Sequence, residues 1–508
     1  MKLTLSHCQE AYNAMKRRAQ KKILAGDYCG CWQLIDQAAV LACQVIWQYA
    51  DTDMYAMLVQ IAREKVFTKN NIDSNPNKVV FFDSFGVTYI LSLQYMKALV
   101  AMGKEVLYIY EEKDHQHNTL VPTLDIIHSY KGVKVIVLES KLDKLQKLQQ
   151  IYDLITGFEA SAIFTHIDTH SAVIPVLSVL PPPITKYHIN LGDHLFWLGA
   201  SFINYSYEFR SFGAEVSRFK RGLKPEQTLF LPYYPIRETK IFQGFPAETK
   251  GKVVLFTGGD FYKTIDSDNS YWELLKSIVN ENPQVVVLFA GKLENGNAPL
   301  LLRKFIESNK FEKRVIPIGF RPDINEVFAH CDIYMGTCPM SGGLMSQYAA
   351  ANAKAILQYY PSDRFPDNET ESVICVHHEM QISFTDKREF LDEANHLISD
   401  ADYRIRRGQE IKSCMLTEEE FNQFFVQSML NHISSFDIVE PGVHFDALTQ
   451  WWLDIGNQGY FDALAYIHSV LGFRGLIDAP IITFAYLYNR YVSKKLFNYN
   501  WYLSKFRK

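Results

Sequence analysis

The chain has 508 residues, too many for one hydrophobic core, so two or three domains are expected. Hydrophobic residues make up 48% and charged residues 21%, the balance of a folded chain rather than a disordered one. A net charge of −4 offers no electrostatic footprint for nucleic acid, and the lack of any run of about 18 uncharged apolar residues argues against a transmembrane helix.

Residues 1–70 read as helical. Apolar positions recur every three or four residues in AYNAMKRRAQKKILAG, CWQLIDQAAVLACQVIWQYA and MYAMLVQIAREKVF. The first residues lack a long apolar core and a small-residue cleavage site, so no signal peptide is expected. The eight cysteines are scattered, and Cys29-Gly-Cys31 has no matching second pair. Reduced thiols in a cytoplasmic protein, with no metal site, are the expectation.

A polar break at 70–78 precedes a first α/β region, placed at 71–235. KVVFFDSFG is a strand ending in a loop with Asp83 and Phe85 at its carboxyl edge, where open parallel sheets bind ligands. VKVIVLES and SAIFTHIDTH continue the pattern, the second running into His166, Asp168 and His170. His166 suits either active-site lining or a satisfied structural role. A further short strand ends at Asn190-Leu191-Gly192-Asp193-His194. An imidazole in that loop can act as a general base near neutral pH, whereas the bland reading is a capping Asp and a packed His.

The proline-bearing stretch 228–252 reads as an interdomain linker. A second α/β region, placed at 250–410, follows. VVLFTGG breaks at Gly258 and Gly259, with Tyr262 and Lys263 just beyond. The segment 312–358 predicts strand Val315–Ile318, helix Ile324–His330, strand Asp332–Met335, helix Leu344–Asn352 and strand Ala355–Tyr359. Its loop Pro339-Met340-Ser341-Gly342-Gly343 leaves backbone N–H groups at a helix start, which favours a phosphate. A lysine opposite would complete a diphosphate cradle. Alternatively, these are ordinary turn glycines and a solvated lysine. SVICVHHEM is expected to be another strand. Residues 411–508 form a helical region ending in an aromatic, basic tail, expected to pack, with an interfacial membrane helix as the other reading.

These segments resemble GT-B glycosyltransferases, and more remotely the O-GlcNAc transferase and bacterial adhesin N-glucosyltransferase group. FTGGDFYKTIDSDNSYWELLKSIVNENPQVVVLFAG is similar to the family's strand–loop–helix–strand, with Tyr262-Lys263 at the diphosphate-binding lysine. RVIPIGFRPDINEVFAHCDIYMGT resembles the segment on which the nucleotide base rests, here Gly319, Phe320 and Arg321. CPMSGGLMSQYAAANAKAIL resembles the loop and helix that hold diphosphate and ribose, implicating Pro339, Ser341, Gly342, Gly343, Leu344 and Gln347. The family's histidine and threonines in that loop are absent, as is its acidic ribose contact, for which Gln347 or Tyr348 stands. The paired glutamates of retaining enzymes are also missing, which tilts the expectation toward inversion.

The fold class implied is α/β, with two Rossmann-like domains and helical segments at both ends. The resemblance implies transfer of a hexose or N-acetylhexosamine from a UDP-sugar to a glycan or protein, with no cofactor and no metal. His194, Asp193 or His166 would supply the base, and Asp83 and Phe85 would face the acceptor. Expected location is the cytoplasm or the inner face of its membrane. Rival readings are a non-catalytic partner of a transferase and a UDP-sugar epimerase; a pyridoxal-type phosphorylase would need a Schiff-base lysine that is not identified.

Overall fold

Strong burial on both faces of the apolar runs organises the chain into two parallel sheets. The structure, a computed structural model, describes residues 5–69, 72–85, 91–112, 124–139, 141–236, 240–266, 268–292, 298–361, 370–434, 436–437, 442–456 and 460–492. The first sheet contains β1 (Asn75–Asp83), β2 (Glu105–Glu111), β3 (Val133–Leu138), β4 (Ala160–His166), β5 (Thr185–Asn190), β6 (Tyr205–Glu208) and β7 (Thr228–Phe230). Its order is β3-β2-β1-β4-β5-β6-β7, with every pairing parallel. The second contains β8 (Val253–Gly258), β9 (Val285–Ala290), β10 (Val315–Gly319), β11 (Ile333–Met335), β12 (Ala355–Tyr359) and β13 (Ser383–Phe384), in the order β10-β9-β8-β11-β12-β13, again all parallel. Val79–Phe82 and Val285–Phe289 are buried without alternation, as expected of strands covered by helices on both sides.

Each sheet reverses its strand order once, between β1 and β4 and between β8 and β11. Loops leaving the carboxyl ends of those strands diverge there, and the crevice between them is where such sheets bind ligands. Asp83 and His166 end β1 and β4 and pair in register. Gly258 ends β8, and the loop after β11 runs from Gly336 to Gly342.

The N-terminal helices Leu5–Leu24, Tyr28–Leu41 and Thr52–Lys65 share one core with one face of the first sheet and with the late helices Tyr460–Leu471 and Pro480–Leu487. Asp51 caps Thr52–Lys65 by accepting from Asp53 and Met54 N–H, and also receives the Tyr12 hydroxyl at 2.8 Å and Lys16 at 3.0 Å. All eight cysteines are free thiols, as expected. No helix among the described residues is long and apolar enough to cross a membrane.

Two expectations are corrected. SVICVHHEM forms no strand: Glu371–Ile374 is a helical turn, and the Val376 and His377 amides donate to Cys414 O instead of to a sheet. The strand beside β12 is Ser383–Phe384, and the Ser383 amide together with that of the preceding Ile382 is tied to the half-buried Glu371 carboxylate. The expected linker also begins late, because Thr228–Phe230 is the outer strand of the first sheet. Residues 237–239 of that linker and 493–508 of the tail lie outside the described residues.

Candidate active site

At the β8/β11 reversal the sequence-predicted phosphate features meet. Gly258 packs so tightly that a Cβ there would lie 2.3 Å from the Ala290 carbonyl oxygen, so glycine is needed for strand contact. Gly259 follows at φ +141, turning the chain into the helical turn Phe261–Thr264 that carries Tyr262 and Lys263. Lys263 Nζ donates to Ser341 O at 3.4 Å, and Met340 N–H donates to Lys263 O at 3.5 Å. The loop Pro339–Gly342, which begins with a cis Cys338–Pro339 bond, leads into helix Gly343–Ala351. The lysine and the helix start expected to form a cradle are therefore adjacent. The positive end of the helix dipole adds to the lysine charge.

The remaining expected donor residues divide into two groups. Gly319 (φ +68) is buried at the end of β10, its O accepting from Gly291 N–H, and Phe320 just beyond it is 78% exposed. Arg321 is instead committed to protein. Its guanidinium makes a bidentate pair with Asp323 and donates to Gly244 O at 3.0 Å, between the rings of Phe242 and Phe245. Asp323 is held down to about 2 by the Arg321 hydrogen bonds. Gln347, expected at the ribose, is fully buried and donates to Tyr233 O at 2.5 Å and Val373 O at 3.1 Å. Tyr348 donates to Ile236 O. Both anchor the linker to the second domain. Leu344 packs between the two domains' cores, and a Cβ on Gly343 would meet the Tyr233 hydroxyl at 3.2 Å.

In the first domain, Asp193 and His194 do meet. His194 Nδ1 lies 3.3 Å from Asp193 Oδ1, and Arg210 donates to Oδ2 of the same carboxylate. Asp193 is buried whereas the His194 side chain is 29% exposed. Burial alone would raise the Asp193 pKa, but Arg210 and the His194 N–H hold it well below the usual carboxylate range. Arg221 fastens the loop from below, one nitrogen donating to the carbonyls of Gly192, Asp193 and Leu195 at 2.8–3.1 Å. Gly213 admits this packing, since a Cβ there would lie 3.0 Å from Asp193 Cβ. Sequence reasoning missed Arg210 and Arg221. Their signal was two arginines flanking helix Ser211–Phe219 after a strand end.

His166 belongs to a separate group. Its Nδ1 donates to Asp83 Oδ1 at 3.1 Å, and Asp83 also receives Phe85 N–H and the Tyr108 hydroxyl. The Phe85 ring lies 5.1 Å from the imidazole. Asp83 and His166 are fully buried, and His166 Nε2 has no partner among the described residues.

The two halves join through helix Ser211–Phe219. Its Phe212 and Val216 share an apolar cluster with Met340, Tyr262 and Tyr360 of the second domain. Next to it opens an interdomain cleft of 750 Å³, lined by Ser211, Phe230 and Pro232 on one side and by Glu371, Glu379 and Ser383 on the other. No group of three His, Cys, Asp or Glu residues placed to hold a metal is found among the described residues.

Compared with solved structures, the fold is similar to that of the Anabaena protein HepE in complex with UDP, at 15% identity over 70% of this chain and 99% of that one, with a TM-score of 0.51. It is also similar to a glycosyltransferase from Rickettsia africae, at 10% identity over 71% and 100%, with a TM-score of 0.50. An O-GlcNAc transferase from Thermobaculum terrenum aligns over 89% of this chain and 85% of its own at 12% identity and a TM-score of 0.48. No protein-family model matches the sequence, and no curated protein matches it. The two-domain GT-B architecture expected from the sequence is the one observed.

Proposed function

We propose that the chain is a glycosyltransferase that moves a hexose or N-acetylhexosamine from a UDP-sugar to a glycan or protein acceptor. The observation that carries this reading is the contact between Lys263 and Ser341 at the β8/β11 reversal, where a cation and a helix start converge in a GT-B crevice. The domain 250–410 takes the donor, and 71–235 takes the acceptor. Gly319 and Phe320 offer backbone and an open ring to the base. Gly259, Tyr262 and Lys263 close the diphosphate from one side, and the amides of Ser341–Leu344 from the other.

In the proposed reaction an acceptor hydroxyl oxygen attacks the anomeric carbon as the bond from that carbon to the diphosphate oxygen breaks. The hydroxyl proton passes to His194, whose Nδ1 faces Asp193 and whose Nε2 is thereby the accepting nitrogen. Negative charge on the departing UDP is met by Lys263 and the helix-start amides, so no metal is needed, and attack opposite the leaving group inverts the anomeric centre.

The test is calorimetry of UDP and UDP-sugars, followed by transfer assays in the presence of a chelator with Lys263→Ala and His194→Ala. Failure of every UDP-sugar to bind would end this reading. Binding without turnover would favour a non-catalytic partner subunit, and conversion of the sugar nucleotide without acceptor would favour an epimerase.

A further inference from the structure

The last described helices carry an apolar face that points away from the fold. Helix Pro480–Leu487 is almost wholly apolar, and its inner residues Ile482, Ala485 and Tyr486 are buried in the core shared with Leu5–Leu24 and Tyr460–Leu471. Exposed apolar side chains run along its outer side and beyond as Ile481, Phe484, Tyr488 and Tyr491, and the turn Gly475–Asp478 with the residues before it, set off by the non-helical Ala479, adds Ile477 and Phe473. Phe473 is 78% exposed, Ile477 84% and Phe484 63%. A helix apolar all round is ordinarily buried, and an exposed apolar patch of this extent marks an interaction surface.

Charge identifies the occupant. Arg474 and Arg490, both exposed, lie at the two ends of this apolar set, next to Phe473 and Tyr491. Arg18 pairs with Asp478 at 2.6 Å and so neutralises the one acid of 472–508, while Arg17 and Lys21 lie exposed within a turn of it. Beyond Val492 the sequence SKKLFNYNWYLSKFRK adds five cations, no acid and several aromatics. Residues 472–508 therefore carry a net +6 in a chain of net −4. Aromatic and aliphatic side chains rimmed by cations fit the boundary between headgroups and acyl chains of an anionic bilayer.

We propose that this face docks the protein peripherally on an anionic lipid surface, independently of the transferase reading. The full chain is sedimented with vesicles of phosphatidylcholine alone or with about 30% phosphatidylglycerol. The expected result is binding to the anionic vesicles, about tenfold tighter than to neutral ones and weakened at about 0.5 M salt. The combined variant Ile477→Ser, Phe484→Ser, Tyr488→Ser should lose about tenfold, and Arg474→Glu with Arg490→Glu should lose the lipid preference. Melting curves unchanged from the parent chain verify that these exposed substitutions leave the fold intact. The proposal is overturned if the chain ignores anionic vesicles or if folded variants bind them equally. It is also overturned if the serine variant merely dissolves a dimer measured by light scattering, or if vesicles bind only after 493–508 is deleted, since the face is then covered by a second copy or by the tail.

Discussion

His194 is held in place by its chain neighbour: its Nδ1 lies 3.3 Å from Asp193 Oδ1, while Arg210 occupies the other oxygen of that carboxylate. A buried, ion-paired carboxylate fixes the ring orientation for proton transfer. His194→Ala is therefore expected to lower turnover by about 10²–10⁴-fold with UDP affinity unchanged. Asp193→Asn should give a smaller loss, also in turnover rather than in donor binding. Equal losses in donor affinity for both variants would remove the pair from the reaction centre.

Lys263 and Ser341 make a sharper claim, because their contact joins the two loops at one strand reversal. Removing the lysine charge should affect only ligands that carry a diphosphate. Lys263→Ala is expected to weaken UDP by about 1.5–3 kcal/mol, or about ten- to a hundredfold, and to leave uridine binding as it was. Calorimetry with the two ligands measures this directly. A parallel loss for uridine would mean that the substitution had disturbed the base site or the fold.

How much of this was legible in the sequence follows from where each force acts. Strands such as Val79–Phe82 and Val285–Phe289 announce themselves, because parallel strands buried on both faces are continuous apolar runs. The loop 339–343 and Lys263 were recognisable as local signals at strand ends. Tyr205–Glu208 does not announce itself as a strand, because it is only four residues long, YSYE, with no aliphatic run, and it ends in a carboxylate. That carboxylate is buried only because Asn190, Ser206 and Ser217 donate to it. SVICVHHEM had the composition of a strand, yet its amides pair with Cys414, far along the chain. Arg221 is likewise invisible locally, since its three carbonyl partners lie 26 to 29 residues away.

Gln347 separates a ligand contact from a structural one. Its Nε2 donates to carbonyls of Tyr233 in the linker and Val373 in the second domain, and its Oε1 is buried without a partner among the described residues. Gln347→Leu would strand both carbonyls, at about 1–3 kcal/mol each if neither finds water. The melting temperature should fall clearly, while UDP affinity of the folded protein stays within about twofold. A stable variant with weakened UDP binding would instead make Gln347 the ribose contact that the sequence suggested.

Asp323 gives a pH dependence that belongs to the fold rather than to the reaction. Arg321 grips its carboxylate with two hydrogen bonds, the Gln243 amide adds a third, and the pKa falls to about 2. An aspartate in the unfolded chain titrates near about 3.9. Because the folded value is the lower one, the stabilisation is complete above about pH 4 and is lost as pH falls toward about 2, amounting to roughly 1–2 kcal/mol. Urea unfolding at neutral pH and near pH 3 should show this loss in the parent chain. Asp323→Asn should be less stable at neutral pH and should lose less on acidification. An unchanged acid slope in that variant would mean that the Arg321 pair, although bidentate and buried, contributes nothing to holding the linker against the second domain.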